Sequence, residues 1–397
     1  MKRLLFFHIL FFLAIGLVFA SDFGLLVDQK LEVENKLTIY SPSFTPWFSW
    51  NGGKGLSLYF SGLLSMEYYS FDENPGGNGW VTPVLRPEIS RFSLNYRNGR
   101  NMVLEAGRVG YSDALGFAAS GLFDGLRVAT VLPLGTVSMG AFYTGLLYKE
   151  TAKIIMTDAD VIKYMEPWDW DNSGAYFASR RAVVSLRLDM PFMSANTLSA
   201  EVLGQFDLTG NDQILHSQYG IVKLELLPWS RFGITAGAVF EAMETEAEIT
   251  AAFGAIAGFR VDLPNSLNDM LNVTFKFSSG ALNDTFTAFT PLSTITQGAV
   301  FPGTLSGLAL VSADYGVRII NSLYAEGSLR YFMRTYDDPV SQGYLYGAEI
   351  YASLTWQPLE DIRLSFGGGA FIPSLGNAYP ENTDTMWKVK AGLSISF

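Results

Sequence analysis

From Leu323 to Met333, Leu323, Ala325, Gly327, Leu329, Tyr331 and Met333 fall at every second position. Ser322, Glu326, Ser328, Arg330 and Arg334 take the opposite set. Leu271, Val273, Phe275 and Phe277 alternate in the same way with Asn272, Thr274, Lys276 and Ser278. Ala348, Ile350, Ala352, Leu354 and Trp356 alternate with Glu349, Tyr351, Ser353, Thr355 and Gln357. A side-chain period of two belongs to a half-buried strand. Its recurrence along the chain restricts the fold more than any other feature. Apolar residues make up 49% of the chain, yet no run reaches the ~20 that a helix needs to cross a bilayer. They are instead spread over one face of many strands.

The connections sharpen this reading. Short links carry turn residues: "YRNGRN" around Asn98-Gly99, "LPLGT" at 132–136, "LPWSR" at 227–231, "INSL" at 320–323 and "QPLED" at 357–361. Asn-Gly suits a type I′ hairpin, and Pro marks strand ends because it cannot donate to a ladder. Between these turns come longer links, the longest at about 148–180 and 280–305. Strands are expected near 55–69, 86–96, 101–109, 122–132, 135–147, 181–190, 197–208, 217–227, 231–242, 248–262, 270–279, 306–319, 322–334, 344–357, 361–372 and 386–397. That makes about 16, with 14–18 allowed, and all short turns fall on one side. The expected fold class is therefore all-β, a closed antiparallel transmembrane β-barrel, because lipid offers no partner to an open sheet edge. Residues 21–54 precede the first expected strand. "SPSFTPWFSW" at 41–50 holds two prolines, and the segment reads as a lead-in, an inner plug, or a strand that would spoil the even count.

The chain opens on Lys2 and Arg3, an apolar run of about 15 residues, and Val18-Phe19-Ala20 before Ser21. This pattern predicts a cleaved signal peptide at 1–20. There is no Cys, which excludes disulfides and thiolate metal sites. The net charge of −11 is that of a poor nucleic-acid binder. For a channel it predicts a mild cation preference.

The last residues read "MWKVKAGLSISF". A terminal aromatic, Phe397, follows Ile395, Leu393, Ala391 and Val389 at every second position. With the even count and the alternating short and long links, this ending resembles that of bacterial outer-membrane β-barrel proteins, porins above all. The resemblance covers nearly the whole chain beyond residue 20 as architecture and matches no single porin family. It implies a passive channel for small hydrophilic solutes or ions, short periplasmic turns, long external loops, and residues 55–397 as the barrel. It implies that the barrel-assembly machinery reads Val389, Ala391, Leu393, Ile395 and Phe397, that outer-membrane lipids surround the barrel, and that a homotrimer is allowed. In general porins a loop between the fifth and sixth of 16 strands folds inward and narrows the lumen; in the count above that is 148–180. Its acids Asp158, Asp160, Glu166, Asp169 and Asp171 would then oppose wall bases Arg91, Arg108, Arg127 and Arg187, giving a transverse field. The other reading folds the loop over the outside with its acids in water. The lumen set otherwise mixes signs, with Glu67, Glu201, Glu241, Arg330, Glu349, Lys388 and Lys390 among its members.

Other motifs carry less. "DWDNSG" at 169–174 begins like a calcium loop, but Ser173 and Arg180 stand where acids are needed. His216 is the one histidine beyond the leader, and the adjacent Ser217 would point to the opposite face of a strand, so no catalytic pair is expected and the chain is not expected to be an enzyme. No cofactor or metal motif is found. Two alternative functions remain. One is a transporter of hydrophobic compounds resembling long-chain fatty acid channels, with 21–54 as the plug, although their Asn-Pro-Ala motif is absent. The other is a surface adhesin or structural protein acting through its loops. A soluble secreted all-β enzyme is the non-membrane alternative.

Overall fold

A computed structural model describes residues 21–71, 83–99, 101–193, 195–210, 213–281, 286–337, 343–380 and 382–397. The expected signal peptide, 1–20, lies outside them. The described strands form one closed antiparallel sheet. In chain order they are β1 (Ser21–Glu34), β2 (Leu37–Gly53), β3 (Leu56–Ser65, resuming at Tyr68–Phe71), β4 (Arg86–Asn98), β5 (Met102–Ser112) and β6 (Ser120–Leu132). Then follow β7 (Gly135–Tyr143), β8 (Arg181–Phe192), β9 (Asn196–Asp207), β10 (His216–Trp229), β11 (Phe232–Glu244) and β12 (Ile249–Asp262). The last are β13 (Met270–Ser278), β14 (Leu308–Ile320), β15 (Leu323–Arg334), β16 (Leu345–Leu359), β17 (Ile362–Ile372) and β18 (Met386–Ser396). The two halves of β3 pair with one strand, β2, so the barrel has eighteen strands among the described residues.

The barrel closes where β18 meets β1: Val389 lies opposite Val33, Ala391 opposite Leu31, and Ile395 opposite Val27. Leu25 and Phe397 exchange both backbone hydrogen bonds, at 3.1 and 2.9 Å. The last residue is thus a full member of the seam. Ser21 and Phe397, the first and last described residues, lie at the end with short turns, and the long connections gather at the other, here called the loop end.

This corrects the expectation for residues 21–54. They are neither lead-in nor plug: residues 21–53 are two wall strands, β1 and β2, paired in continuous register from Ser21 opposite Trp50 to Glu34 opposite Leu37. The barrel therefore spans 21–396, not 55–397. Two features hid them. Their connection at the loop end is only Asn35-Lys36, with Asn35 at φ 48°, so it does not look like a long loop. Pro42 and Pro46 also argue against an inner strand. Both prolines sit where β3 is irregular. Pro42 lies beside the break at Met66–Glu67, where Met66 N–H donates to the Pro42 carbonyl. Pro46 lies in the gap between the Phe44–Leu64 and Trp47–Ser61 pairs. Missing donors there leave no ladder partner stranded. With two more strands, the long loop at 144–180 follows β7 and precedes β8, not the fifth and sixth strands as expected.

Outward positions carry exposed apolar side chains such as Leu126, Met139, Val184, Val202, Phe240, Leu329, Ile350 and Phe366. The buried apolar residues lie inside the barrel. One cluster joins inward residues of β5–β12, such as Val109, Phe123, Val183, Tyr219 and Val239, to loop residues Phe117, Ile154, Phe289 and Leu292. A second joins Val300 and Phe301 to Leu310, Phe332 and Phe371. Loops, not wall residues alone, fill much of the lumen. Deleting residues 21–34 should leave no folded barrel, because both seam ladders of β1 go with them. Unheated and boiled samples should then migrate alike on SDS gels, whereas loss of a plug would preserve the shift.

Candidate functional site

Three of the described connections enter the lumen, and carboxylates hold each one. Loop 113–119 winds around its own first residue: Asp113 accepts the backbone N–H groups of Leu115, Gly116, Phe117, Ala118 and Ala119, four at 2.8 Å and Phe117 at 3.4 Å. From the wall, Glu201 on β9 takes the Tyr111 hydroxyl at 2.5 Å and Ala114 N–H at 2.8 Å. Within 279–307, Glu241 on β11 accepts Thr290 N–H at 2.8 Å. Glu349 on β16 accepts Ala299, Val300 and Phe301 N–H groups at 2.8–2.9 Å, with Arg330 also bound at 2.8 Å. A loop folded away from water must find partners for its N–H groups, and a carboxylate gives strong, charge-assisted bonds to several at once.

The third connection, 144–180, contains α1 (Lys149–Ala152) and α2 (Asp158–Met165). Thr157 and Asp160 close a capping box at the start of α2. Asp160 also meets Arg181 at 2.5 Å, and Arg181 meets Asp207 at 2.8 Å, all three side chains being buried. Lys149 donates to the Lys163 and Glu166 carbonyls. Burial holds its ammonium below the usual lysine value, and Glu150 and Glu166 offset part of that. The three connections brace one another, since Leu292 N–H donates to the Ala118 carbonyl and Thr294 N–H to Lys153.

These contacts occupy the lumen against the loop-end parts of β5 and β6 and against β7–β17. Among the described residues, infolded loops meet the remaining wall, from β18 through β1 to β4, only near its loop-end rim: Met386 packs on Phe371's cluster, Arg86 meets Glu150 at 3.0 Å, and Glu88 meets Thr151. Further in, wall residues pair with one another. Lys388 bridges Glu32 and Glu34 at 3.1 and 3.0 Å, and Lys390 meets Glu32 at 3.1 Å. Arg91 and Arg127 share Glu105 at 3.6 and 3.1 Å while staying about half exposed, and the Arg91 guanidinium lies over the Tyr59 ring.

The expected constriction residues do not come together. Asp160 is buried against Arg181, a residue not among the expected wall bases. Asp158, Glu166, Asp169 and Asp171 are exposed. Asp169 accepts Asp171 and Asn172 N–H groups in a local turn, which is what its calcium-like spacing achieves here. Arg187 pairs with Asp189 on its own strand at 2.9 Å. Arg108 is a correction: it points out of the barrel. Its neighbours Glu105 and Val109 face inward, and Arg108 pairs across strands with Asp124, also on the outer face. His216 and Ser217 fall on opposite faces, and His216 Nδ1 accepts Asp207 N–H at 3.0 Å.

Sequence reasoning placed Glu201, Glu241 and Glu349 in the lumen lining but not as holders of loops, and it passed over Asp113. Glutamates facing inward near a strand's loop end were visible, but the loops they hold were not. Only "DALGFAAS", an Asp followed three residues on by Gly, carried a local signal of a capped turn.

No protein-family model matches this chain, and no curated protein matches it. Solved structures do. Pseudomonas aeruginosa OccK5 (OpdH) superposes with a TM-score of 0.62 at 10% identity, over 96% of this chain and 99% of that one. The outer membrane protein opdK of the same organism gives 0.60 at 10%, over 95% and 98%. OpdK solved with vanillate gives 0.62 at 11%, over 95% and 98%. The likeness is one of fold: a closed barrel of this size and connectivity. Replacing Glu349 by Ala should free residues 299–301, raise single-channel conductance and add current noise. The stability loss should be at least the roughly 1.5–3 kcal/mol of one charge-assisted bond, read by urea unfolding; Glu349→Gln should fall between.

Proposed function

We propose that the chain is a passive diffusion channel of a bacterial outer membrane, for small hydrophilic solutes or ions. The observation that carries this is the wall from β18 through β1 to β4, with the adjoining Glu105 and Arg127 of β5 and β6. It carries inward charged pairs, Lys388 and Lys390 with Glu32 and Arg91 and Arg127 with Glu105, while loops occupy the rest of the lumen. A narrowed, polar path beside an apolar exterior suits solutes that lipid excludes. A transporter of hydrophobic compounds gated by an N-terminal plug has no support once residues 21–53 are wall.

The acidic chain sets a mild cation preference. Arg91 and Arg127, sharing the single carboxylate of Glu105, add a local positive patch where a small anion can pause. Vanillate, the compound bound in one structural neighbour, is the first solute to try. On this reading the leader exports the chain, and the Val389–Phe397 face of β18 is the part that the assembly machinery reads.

The test is reconstitution in a planar bilayer. Discrete conductance steps are expected, and openings coupled in threes would mark a homotrimer. No conductance, with loop-dependent binding to a surface ligand, would favour the adhesin instead. Replacing Arg91 and Arg127 together by Glu should move the reversal potential in a salt gradient toward cations and weaken any vanillate block of the current.

A further inference from the structure

The long loop after β7 straddles the rim. Residues 168–177 pass over the outer face of β3–β5, where Tyr176 donates to the Pro87 carbonyl at 2.7 Å. Trp168 contacts Tyr176 and Trp170, with ring centroids 5.3 and 5.5 Å apart. Between this aromatic roof and the wall runs an apolar groove of about 570 Å³, floored by Phe60, Gly62, Leu64 and Ile89. It has the size of a small-molecule site, which is roughly 300–1,000 Å³, but it lies outside the barrel.

Arg108 marks one end. A charged pair on a lipid-facing surface is costly, and here it is shielded: the Arg108 side chain is 8% exposed. All three guanidinium nitrogens are engaged, with Asp124 at 2.8 Å twice, the Ile89 carbonyl at 2.6 Å and the Leu146 carbonyl at 2.9 Å. No nitrogen lacks a partner that a headgroup would have to supply. What the groove offers is apolar contact. Phe60, Leu64 and Ile89 are 38–47% exposed and run directly into the outward apolar band of Phe92 and Leu94.

We propose that this groove holds an acyl chain of the surrounding membrane, clasped between the wall and the Trp168–Trp170–Tyr176 roof. The occupant follows from continuity: the groove opens onto the surface that lipid chains already cover. An apolar cleft left empty there forfeits dispersion contacts on one side. Trp and Tyr belong at the boundary between chains and headgroups, which is where a roof over an entering chain has to lie. The inference rests on the membrane reading of the barrel.

The full chain, reconstituted in vesicles of acyl-brominated phosphatidylcholine, tests it. Bromine quenches tryptophan on contact, and the difference between the wild type and a Trp168→Phe, Trp170→Phe variant isolates the roof. A Cβ at position 62 meets nothing closer than 3.9 Å, so Gly62→Phe fills the groove without backbone strain; Ile89→Phe fills it from β4 should the first not fold. The expected result is strong quenching of the roof signal, at least halved in either filled variant, with conductance unchanged. Equal quenching in wild type and filled variants, or none of the roof signal, overturns the proposal. So does roof protection with a doubled mass in detergent, which would put a second copy of this chain in the groove. If the membrane reading itself fails, the remaining tryptophans, Trp229, Trp356 and Trp387 among them, will also be unquenched.

Discussion

The pairing of the last strand with the first is the interaction on which everything else depends. Hydrocarbon offers nothing to a free backbone N–H or carbonyl, so an eighteen-stranded sheet with an open seam would be unstable in a bilayer. Nine residue pairs between β18 and β1, from Leu26–Ser396 to Glu34–Lys388, close it. The seam also has a side-chain layer on each face. Val389, Ala391 and Ile395 face outward beside β1 residues of the same kind, and Lys388 and Lys390 face inward against Glu32 and Glu34. Backbone, apolar face and charged face agree in register, and a one-residue slip would put lysines on the outer apolar face.

Once the barrel is closed, the interior has to be dealt with. An eighteen-stranded wall leaves a lumen too wide for side chains to fill. Here the chain fills part of it with its own loops, and their backbone polar groups become the next constraint. Glutamates of the wall meet it on three strands, and Asp113 meets it within a single loop. Acidic residues that look from composition like a pore's charge selectors are therefore in large part structural acceptors. The ones left over, with their basic partners on β18, β4 and β6, line the proposed path.

Many strands of the second half of the chain were legible because they alternate cleanly and end at turns rich in Pro or Asn, such as those at 263–269, 320–323 and 357–361. Residues 21–53 were not, because two prolines inside β2 signal a break. The break is real but belongs to the neighbouring strand, β3, whose pairing with β2 lapses where β2 lacks donors. The candidate site was read less well. Asp158 and Asp160 are two residues apart and look equivalent, yet one is exposed and the other is buried against Arg181, 21 residues further along the chain. Arg108 carries the same charge as Arg91 and Arg127, but strand parity, set by the register of β5, turns it to the outer face.

By itself the sequence determined the class of structure: the period of two, the absence of a long apolar run, the alternation of short and long links, and a final strand that ends on Phe397. These are local properties, fixed by which face each side chain takes and how each turn bends. Tertiary structure alone decided which loops enter the lumen, which carboxylates hold them, where the open wall lies, and that part of the longest loop roofs the outside. Those outcomes depend on contacts between residues far apart in the chain, such as Glu349 with Val300 or Tyr176 with Pro87. No periodicity or spacing encodes them, because they are set by which strands closure brings face to face.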